Sequence, residues 1–297
     1  MLNSINIDPV AFTIPIGGGF PIYWYGIIVT FGIAVGAFWA GREIQRRGYS
    51  VDELYNALIV VIVSGYFFAR LTYVLLDVIG GGGDRYTSFV DVINVRQGGV
   101  NILGGFVGAA FFGWLYVRWR RLPFWDYADV AGPGLLIAQA IGRWGNFVNQ
   151  ELYGPPTDLP WGITIDPISR LPQYSDLTVY PPETTFHPTF LYESIWLFAG
   201  FLVLVYLNNK YRAIWRSGAL FGLFLIWWGM GRTVIEFFRP DQVTIGNTPI
   251  TYSMVIAFLL AVVGLYIFLL RTGRYSMGGD SRRRKRRVYK PKPRRDS

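Results

Sequence analysis

The chain has 297 residues, of which 52% are hydrophobic and only 16% are charged, a balance that excludes an ordinary soluble domain. Cysteine is absent, which excludes disulfides, a cysteine nucleophile and a cysteine-ligated metal site. A single histidine disfavours a histidine-rich metal centre, so neither a metal nor a cofactor is expected. Any chemistry must use Arg, Glu, Asp, Tyr, Ser or Thr, or a group that the substrate brings.

Long apolar segments predict an all-α integral membrane protein with seven transmembrane helices, because only a helix satisfies its own backbone hydrogen bonds in lipid. The fourth segment contains Gly132-Pro133-Gly134, which predicts an interruption. The N-terminus lacks the pattern of a cleavable signal peptide, so the first segment is expected to remain as a span. The segments cover residues 21–41, 53–76, 98–117, 126–148, 188–207, 217–238 and 250–270.

Most of the 28 Lys and Arg residues fall in alternate connections and in the C-terminal tail. This asymmetry predicts an N-terminus outside and a C-terminus in the cytoplasm. The residues on the predicted cytoplasmic side are Arg42, Arg46, Arg47, Arg118, Arg120, Arg121, Lys210, Arg212, Arg216 and those after residue 270. The tail, 271–297, is expected to be disordered. Its basic run at 282–287 could bind nucleic acid, but we interpret it as a topology determinant that attracts anionic lipid headgroups.

Residues 1–270 are therefore predicted to form one transmembrane domain. Within it, the longest connection, 149–186, lies on the predicted outer side and is rich in proline. A loop of that length is usually functional or has structure of its own. We expect a small extracytoplasmic cap there, with residues 161–165 as a candidate short strand.

Three arginines lie inside the predicted spans, Arg70, Arg143 and Arg232, as does Glu236. Such residues are costly in a membrane and indicate a functional site. Each arginine lies about 7–9 Å below the outer end of its span, at 1.5 Å per residue. Because the three spans run in the same direction, the guanidiniums are predicted to share one layer and to bind a phospholipid phosphate.

Simpler interpretations exist for some of these residues. Arg232 and Glu236 are four apart on one helix face, so they could simply pair, with Arg239 one turn later. Arg70 could extend its guanidinium to the membrane surface. Arg143 is harder to explain without a ligand, because small and polar residues surround it. Tyr25 alone would fit an aromatic belt, although with Asn101 it suggests a polar pocket open to the outer leaflet.

Residues 142–154 read GRWGNFVNQELYG, and this motif resembles that of the prolipoprotein diacylglyceryl transferase family. The similarity extends from 24–26 through 104–105, 187–188 and 191–193 to 232–239. It implies transfer of the diacylglyceryl group of phosphatidylglycerol to the lipobox cysteine thiol of a prolipoprotein, with release of glycerol phosphate. An enzyme without cysteine suits this reaction, since the substrate brings the nucleophile.

The resemblance also implies a multi-pass protein of the bacterial cytoplasmic (inner) membrane, with prolipoprotein signal peptides and membrane lipids as partners. It assigns catalysis to Arg143, Arg232 and Glu236, where Glu236 would orient Arg232. The phosphatidylglycerol-binding residues it implies are Tyr25, Arg143, Asn146, Glu151, Gly154, Arg232 and Arg239.

One departure from the family pattern concerns the thiol base. The family usually carries His where this chain has Leu103, and often Tyr where it has Trp228. Either no histidine is required, or Glu151, Tyr25 or His187 takes the proton, or the chain is an inactive lipid- or precursor-binding relative. A structural role at the start of a helix is the simpler interpretation of His187. A lipid or anion transporter remains the alternative from another class, although the charged cluster lies on one side only.

Overall fold

The computed structural model describes residues 7–15, 19–94, 98–242, 244–246 and 248–273. Within these ranges, seven helices have 18 residues or more, and six of them are long and apolar enough to cross a membrane. The exception is α5. The helices are α1 (Trp24–Arg46), α2 (Val51–Asp77), the short α3 (Phe89–Ile93), α4 (Ile102–Trp119), α5 (Phe124–Val148), α6 (Thr189–Tyr211), α7 (Ala219–Glu236) and α8 (Tyr252–Arg271).

The predicted segments match these helices to within about four residues at most ends. The start of α4 is displaced from the predicted residue 98 to Ile102. Gly98 and Gly99 have φ angles of 82° and 80°, a conformation that favours glycine and cannot continue a helix. Asn101 then caps the helix, because its side-chain oxygen accepts a hydrogen bond from the Gly104 amide at 3.0 Å.

The predicted interruption of the fourth segment is wrong, because α5 runs without a break through Pro133. The proline is fully buried. A Cβ added at Gly132 would lie 2.8 Å from the Phe224 Cβ, and one added at Gly36 would overlap the Gly134 carbonyl oxygen. The two glycines therefore allow neighbouring helices to pack closely against α5. A packed membrane helix of this kind can contain a proline without a break.

The described residues form two compact units, one containing 7–40 and 128–273 with the gaps given above, the other containing 41–127. In the second unit, α2 and α4 pack closely, with Gly104 against Thr72 and Gly108 against Phe68. Glu53 on α2 pairs with Arg120 just after α4 and accepts a hydrogen bond from the Tyr116 hydroxyl.

In the first unit, small residues let α7 and α8 approach closely. Positions 222, 229 and 264 are glycines whose added Cβ atoms would overlap or crowd the backbone of the opposite helix. A reciprocal pair of hydrogen bonds joins α6 to α7, since each of Trp196 and Trp227 donates its indole N–H to the other's carbonyl oxygen, at 3.1 and 2.9 Å.

Gly229→Ala is expected to destabilise the protein by about 1–3 kcal/mol, the usual cost of adding a methyl group to a packed interior. Its Cβ would overlap the Ala257 carbonyl oxygen, which is backbone and cannot rotate away. Thermal unfolding in lipid nanodiscs measures the change. Gly26→Ala is the matched control, because a Cβ there meets nothing within 4 Å. Equal unfolding temperatures for the two variants would contradict this account of the α7–α8 contact.

Within the described residues, two small antiparallel sheets accompany the helices. The strands β1 (Val10–Ile14) and β2 (Phe20–Tyr23) form a hairpin before α1, and β3 (Ile163–Thr164) pairs with β4 (Thr185–Phe186) inside the 149–186 loop. The predicted strand within 161–165 is confirmed by β3. Buried Arg170 donates to the carbonyl oxygens of Ile165, Tyr180, Pro181 and Pro182, so this proline-rich loop is a folded element.

Candidate active site

The C-terminal end of α5 brings polar residues into the first unit through a strained turn. Gln150 and Leu152 have φ angles of 54° and 57°, in the left-handed region that residues other than glycine rarely adopt. Such strain is typical of sites where the surrounding structure imposes the conformation. Here the turn folds Glu151 back, so that Asn146 on α5 donates to its Oε1 at 2.8 Å.

Arg143 on α5 and Arg232 on α7 meet at one carboxylate, that of Glu193 on α6. Arg143 Nη2 lies 2.6 Å from Glu193 Oε1, and Arg232 Nη1 lies 3.7 Å from the same oxygen. Glu193 is buried. Two guanidiniums from separate helices therefore face a shared anionic position, while a phospholipid phosphate bound by them stays a prediction. Glu193 also gives Arg143 a protein partner, which the sequence did not predict.

Glu236, at the end of α7, fixes the other side of Arg232. Arg232 Nη2 lies 3.1 Å from Glu236 Oε2, so the predicted i,i+4 pair is present. Glu236 is itself held by the Thr251 hydroxyl, which donates to its Oε1 at 3.0 Å. Arg232 also reaches Ser253, with its Nε 3.2 Å from the serine Oγ. These contacts limit the rotation of the guanidinium, which supports an orienting role for Glu236.

Asn146 connects the arginines to Glu151. Its side-chain oxygen accepts from Arg143 Nη1 at 3.2 Å, while its amide group donates to Glu151. The neighbouring Gly145 packs against Tyr25, whose ring would lie 2.7 Å from a Cβ at that position. Arg143, Asn146 and Glu151 thus form one hydrogen-bonded cluster beside the α5 turn, and the Tyr25 ring packs next to it.

Gly154 occupies a crowded position next to the start of α6. An added Cβ would lie 2.8 Å from both His187 Cβ and Thr189 Oγ1, and 3.0 Å from the Phe238 carbonyl oxygen. Its amide donates to the His187 carbonyl oxygen at 2.9 Å. The resemblance implied a lipid-binding role for Gly154, and the coordinates give it a further one, because only glycine permits this approach.

His187 lies at the junction between β4 and α6. Its Nδ1 is 3.1 Å from the Tyr192 hydroxyl oxygen, which also accepts from the Trp161 indole N–H at 2.9 Å. The Phe238 ring packs against both His187 and Tyr192, at centroid distances of 5.5 and 6.0 Å. This setting supports the interpretation of His187 as a structural residue at the loop–helix junction.

Arg239 does not continue the Arg232–Glu236 pair but turns to Asp241, with Nη2 2.8 Å from Oδ2. Burial by itself raises the pKa of the Asp241 carboxyl, but the hydrogen bond and charge of Arg239 outweigh it and hold that pKa below its usual range. The pair therefore stays ionised at neutral pH, so Arg239 remains cationic at the edge of the cluster.

Arg70, Asn101 and Leu103 belong to the second unit. The Arg70 guanidinium donates to four backbone carbonyl oxygens, those of Asp91, Val92, Gly98 and Gly99, at 2.7–3.1 Å. Within that unit it holds α3 and the pair Gly98 and Gly99. A shared layer of Arg70 with Arg143 and Arg232 stays a prediction. Leu103 is 61% exposed on the first turn of α4. Among the described residues, no group of His, Asp and Glu side chains is placed to hold a metal ion.

The cluster in the first unit therefore contains two guanidiniums that are oriented by carboxylates. Such a pair can bind an anion such as a carboxylate or a phosphate. A comparison with protein families identifies the matching group: the model described as prolipoprotein diacylglyceryl transferase matches residues 9–270. The chain belongs to the prolipoprotein diacylglyceryl transferase family.

Individual relatives agree with this assignment. A Chloroflexus aggregans protein named phosphatidylglycerol–prolipoprotein diacylglyceryl transferase is 40% identical over 268 residues, covering 84% of this chain and 86% of that protein. A Bacillus cereus protein of the same name is 36% identical over 274 residues, covering 90% and 93% respectively. Family membership and the apolar helices together indicate that this transferase is a multi-pass membrane protein.

Glu193 is not among the site residues predicted from the sequence. The residue lies in the predicted span 188–207 and was noted only as part of the family motif. The signal was present, because an acidic residue within an apolar segment indicates a functional or paired site as strongly as an arginine does. Gln139 was missed too. It accepts a hydrogen bond at 3.0 Å from the indole of Trp228, the residue that departs from the family's usual Tyr.

Proposed function

We propose that this chain transfers the diacylglyceryl group of phosphatidylglycerol to the lipobox cysteine thiol of a prolipoprotein and releases glycerol phosphate, the first step of bacterial lipoprotein maturation. Family membership over residues 9–270 and the names of the relatives support the reaction. The observation that carries the proposal is the convergence of Arg143 and Arg232 on one anionic position. Two guanidiniums from different helices match the oxygens of a lipid phosphate.

In this reaction the thiolate attacks the glyceryl CH2 carbon that carries the phosphate. A C–S bond forms, the C–O bond breaks, and its electron pair leaves with glycerol phosphate. Negative charge therefore grows on the phosphate as the bond breaks. Arg143 and Arg232 would stabilise that charge in a site of low polarity, and Glu236 would keep Arg232 oriented for it. Tyr25, Asn146, Glu151, Gly154 and Arg239 would complete the phosphatidylglycerol site.

We also propose the membrane placement that the basic residues predict. Residues 1–270 would form the catalytic domain, with α5 as a seventh span, an N-terminus outside and a C-terminus in the cytoplasm. The folded 149–186 loop would then cap the outer side, where secreted precursors carrying lipobox signal peptides emerge. The membrane would be the bacterial cytoplasmic one. The tail is expected to contact anionic lipid headgroups, although residues 274–297 lie outside the described part of the chain.

Leu103 does not change the proposed reaction. It means that a group other than a histidine at this position accepts the thiol proton. A cysteine thiol has a pKa of about 8.5, and a cluster of arginines favours its ionised form. Among the described groups of the first unit, Glu193 contacts Arg143 directly, Glu151 reaches it through Asn146, and the Tyr25 ring lies beside the neighbouring Gly145. We therefore propose that transfer proceeds without a histidine at position 103.

Leu103→His is accordingly expected to leave the transfer rate similar or to raise it. Leu103 is exposed on the first turn of α4, so a polar ring there displaces no packed neighbour. The initial rate of peptide lipidation in nanodiscs measures the effect. A large loss of activity would mean that the leucine has a specific role in this chain.

Purified protein incubated with phosphatidylglycerol vesicles and a lipobox peptide tests the proposed function. The expected products are a thioether-linked diacylglyceryl peptide and glycerol phosphate. A transporter would instead move phosphatidylglycerol between leaflets without altering it, which a fluorescent-lipid scrambling assay detects. An inactive relative would bind the lipid or peptide without forming product. Either of these results would refute the transferase proposal.

A further inference from the structure

The carboxylate of Glu193 occupies the position that both arginines share. Its Oε1 lies 2.6 Å from Arg143 Nη2 and 3.7 Å from Arg232 Nη1. Guanidiniums bind carboxylates and phosphates with the same forked geometry. A phosphate oxygen that binds both arginines through these two nitrogens would therefore take the place of this carboxylate oxygen. Glu193 and the substrate phosphate compete for the same donors.

Glu236 is placed differently, although it is also a glutamate paired with Arg232. Among the arginines in the described part of the chain, its ion-pair partner is Arg232, through Oε2 at 3.1 Å. Its other oxygen is held by the Thr251 hydroxyl, and its side chain has no exposed surface. The Glu193 side chain is 10% exposed and bridges two helices. Glu236 is thus a fixed support, whereas Glu193 stands where a ligand would bind.

Charge makes this competition matter most at the end of the reaction. The two arginines and the two glutamates carry balancing formal charges. The lipid phosphodiester is a monoanion, but glycerol phosphate is a phosphate monoester and becomes largely dianionic at neutral pH, since the second pKa of such groups is about 6. The product would therefore hold two guanidiniums more tightly than the substrate does. Slow release of such a product would limit turnover.

We propose that Glu193 is an internal competing anion that returns to Arg143 and Arg232 and displaces glycerol phosphate after each transfer. This inference rests on the proposed function. It makes Glu193 a positioning residue that acts through the arginines, and it explains why a buried carboxylate is kept in a site for an anionic lipid. A site optimised only for phosphate affinity would not contain it.

Product inhibition tests this role. In Glu193→Gln, the amide oxygen can still accept from both guanidiniums, but the competing charge is gone. We expect the inhibition constant of glycerol phosphate to fall by about tenfold or more, because a negative charge in contact with the binding position is removed. The turnover number should fall as product release slows, while the KM for phosphatidylglycerol should fall or stay unchanged.

Matched variants separate this role from a structural one. Glu193→Asp keeps the charge and should keep the inhibition constant near the wild-type value. Glu236→Gln removes the same charge from the other glutamate that pairs with Arg232, and it should tighten inhibition far less. The activity of this variant should still drop, because Arg232 loses its support. The inhibition constants of inorganic phosphate, measured in parallel, should rank the variants in the same order, because the arginines bind the phosphate group and not the glycerol. Glu193→Ala should also tighten inhibition. It replaces Glu193→Gln in this measurement if the glutamine variant does not fold.

An unchanged or higher inhibition constant in a folded Glu193→Gln protein would overturn the proposal. So would equal tightening in Glu193→Gln and Glu236→Gln, because net charge alone would then explain the effect. Binding of glycerol phosphate can also be measured directly, from the rise in unfolding temperature that it causes. This measurement does not require turnover. Failure of the transferase assay would therefore refute the proposed function without obscuring the test of Glu193.

Discussion

Arg143→Ala should abolish diacylglyceryl transfer, with a loss of at least about a thousandfold, at or beyond the upper end for removing one donor to a developing oxyanion. Arg143 contributes a full charge as well as hydrogen bonds, and it contacts both Glu193 and Asn146. Its removal leaves Arg232 alone to stabilise the leaving phosphate. The effect should appear mainly in the turnover number, since charge on the phosphate grows as the C–O bond breaks.

The folded state of the variant must be shown separately, because Glu193 would lose its strongest partner. Comparable yield, a single species on size exclusion and an unfolding temperature within a few degrees of wild type would show this. Arg118→Ala removes an equal charge from an exposed position and should retain activity. Arg143→Lys keeps the charge but not the fork, so an intermediate rate is expected. Near-normal transfer by folded Arg143→Ala would refute the proposed phosphate role.

Gly154→Ala is expected to have the second largest effect, a loss of transfer of about a hundredfold or more. The added methyl group meets His187, Thr189 and the Phe238 carbonyl oxygen at 2.8–3.0 Å. Because the Phe238 contact is backbone, relief requires that the chain after α7 or the start of α6 shifts. These segments lead directly to Arg232, Arg239 and Glu193, and a displacement of about 1 Å at a reacting centre can cost about a hundredfold.

Gly80→Ala is the control for this substitution, because a Cβ there meets nothing within 4 Å. It should leave both the rate and the unfolding temperature close to wild type. The lipidation rate of a peptide at saturating phosphatidylglycerol measures the loss in Gly154→Ala. If that variant were as active as Gly80→Ala, the crowding at Gly154 would not position the site.

Much of the helical architecture follows from local properties of the chain. Apolar runs of about 20 residues locate α6 and α8 to within a few residues, because a span must satisfy its backbone internally. Local signals mislead where packing decides. Pro133 suggests a break in an isolated helix, but α5 continues because its neighbours pack closely at Gly132 and Gly134. The β1–β2 hairpin was not predicted, since short strands carry a weak pattern.

The site was partly predictable for a similar reason. The Arg232–Glu236 pair follows from helical spacing alone, and it is present. The bridge from Arg143 to Glu193 joins residues 50 positions apart, so it depends on how α5, α6 and α7 pack. Charge counting alone left Arg143 without a partner, whereas the fold provides one. The crowding at Gly154 is likewise a tertiary property, which no spacing rule reveals.

The most direct test of the central claim is the stoichiometry of the two products in one reaction. Phosphatidylglycerol carrying separate labels in the diacylglyceryl and headgroup glycerol moieties is incubated with the purified protein and a lipobox peptide. We predict one glycerol phosphate released for each diacylglyceryl thioether formed, and neither product with a peptide whose cysteine is replaced by serine. Glycerol phosphate released without thioether, or lipid bound with no product, would contradict the assignment of Arg143 and Arg232 to a phosphate leaving group in diacylglyceryl transfer.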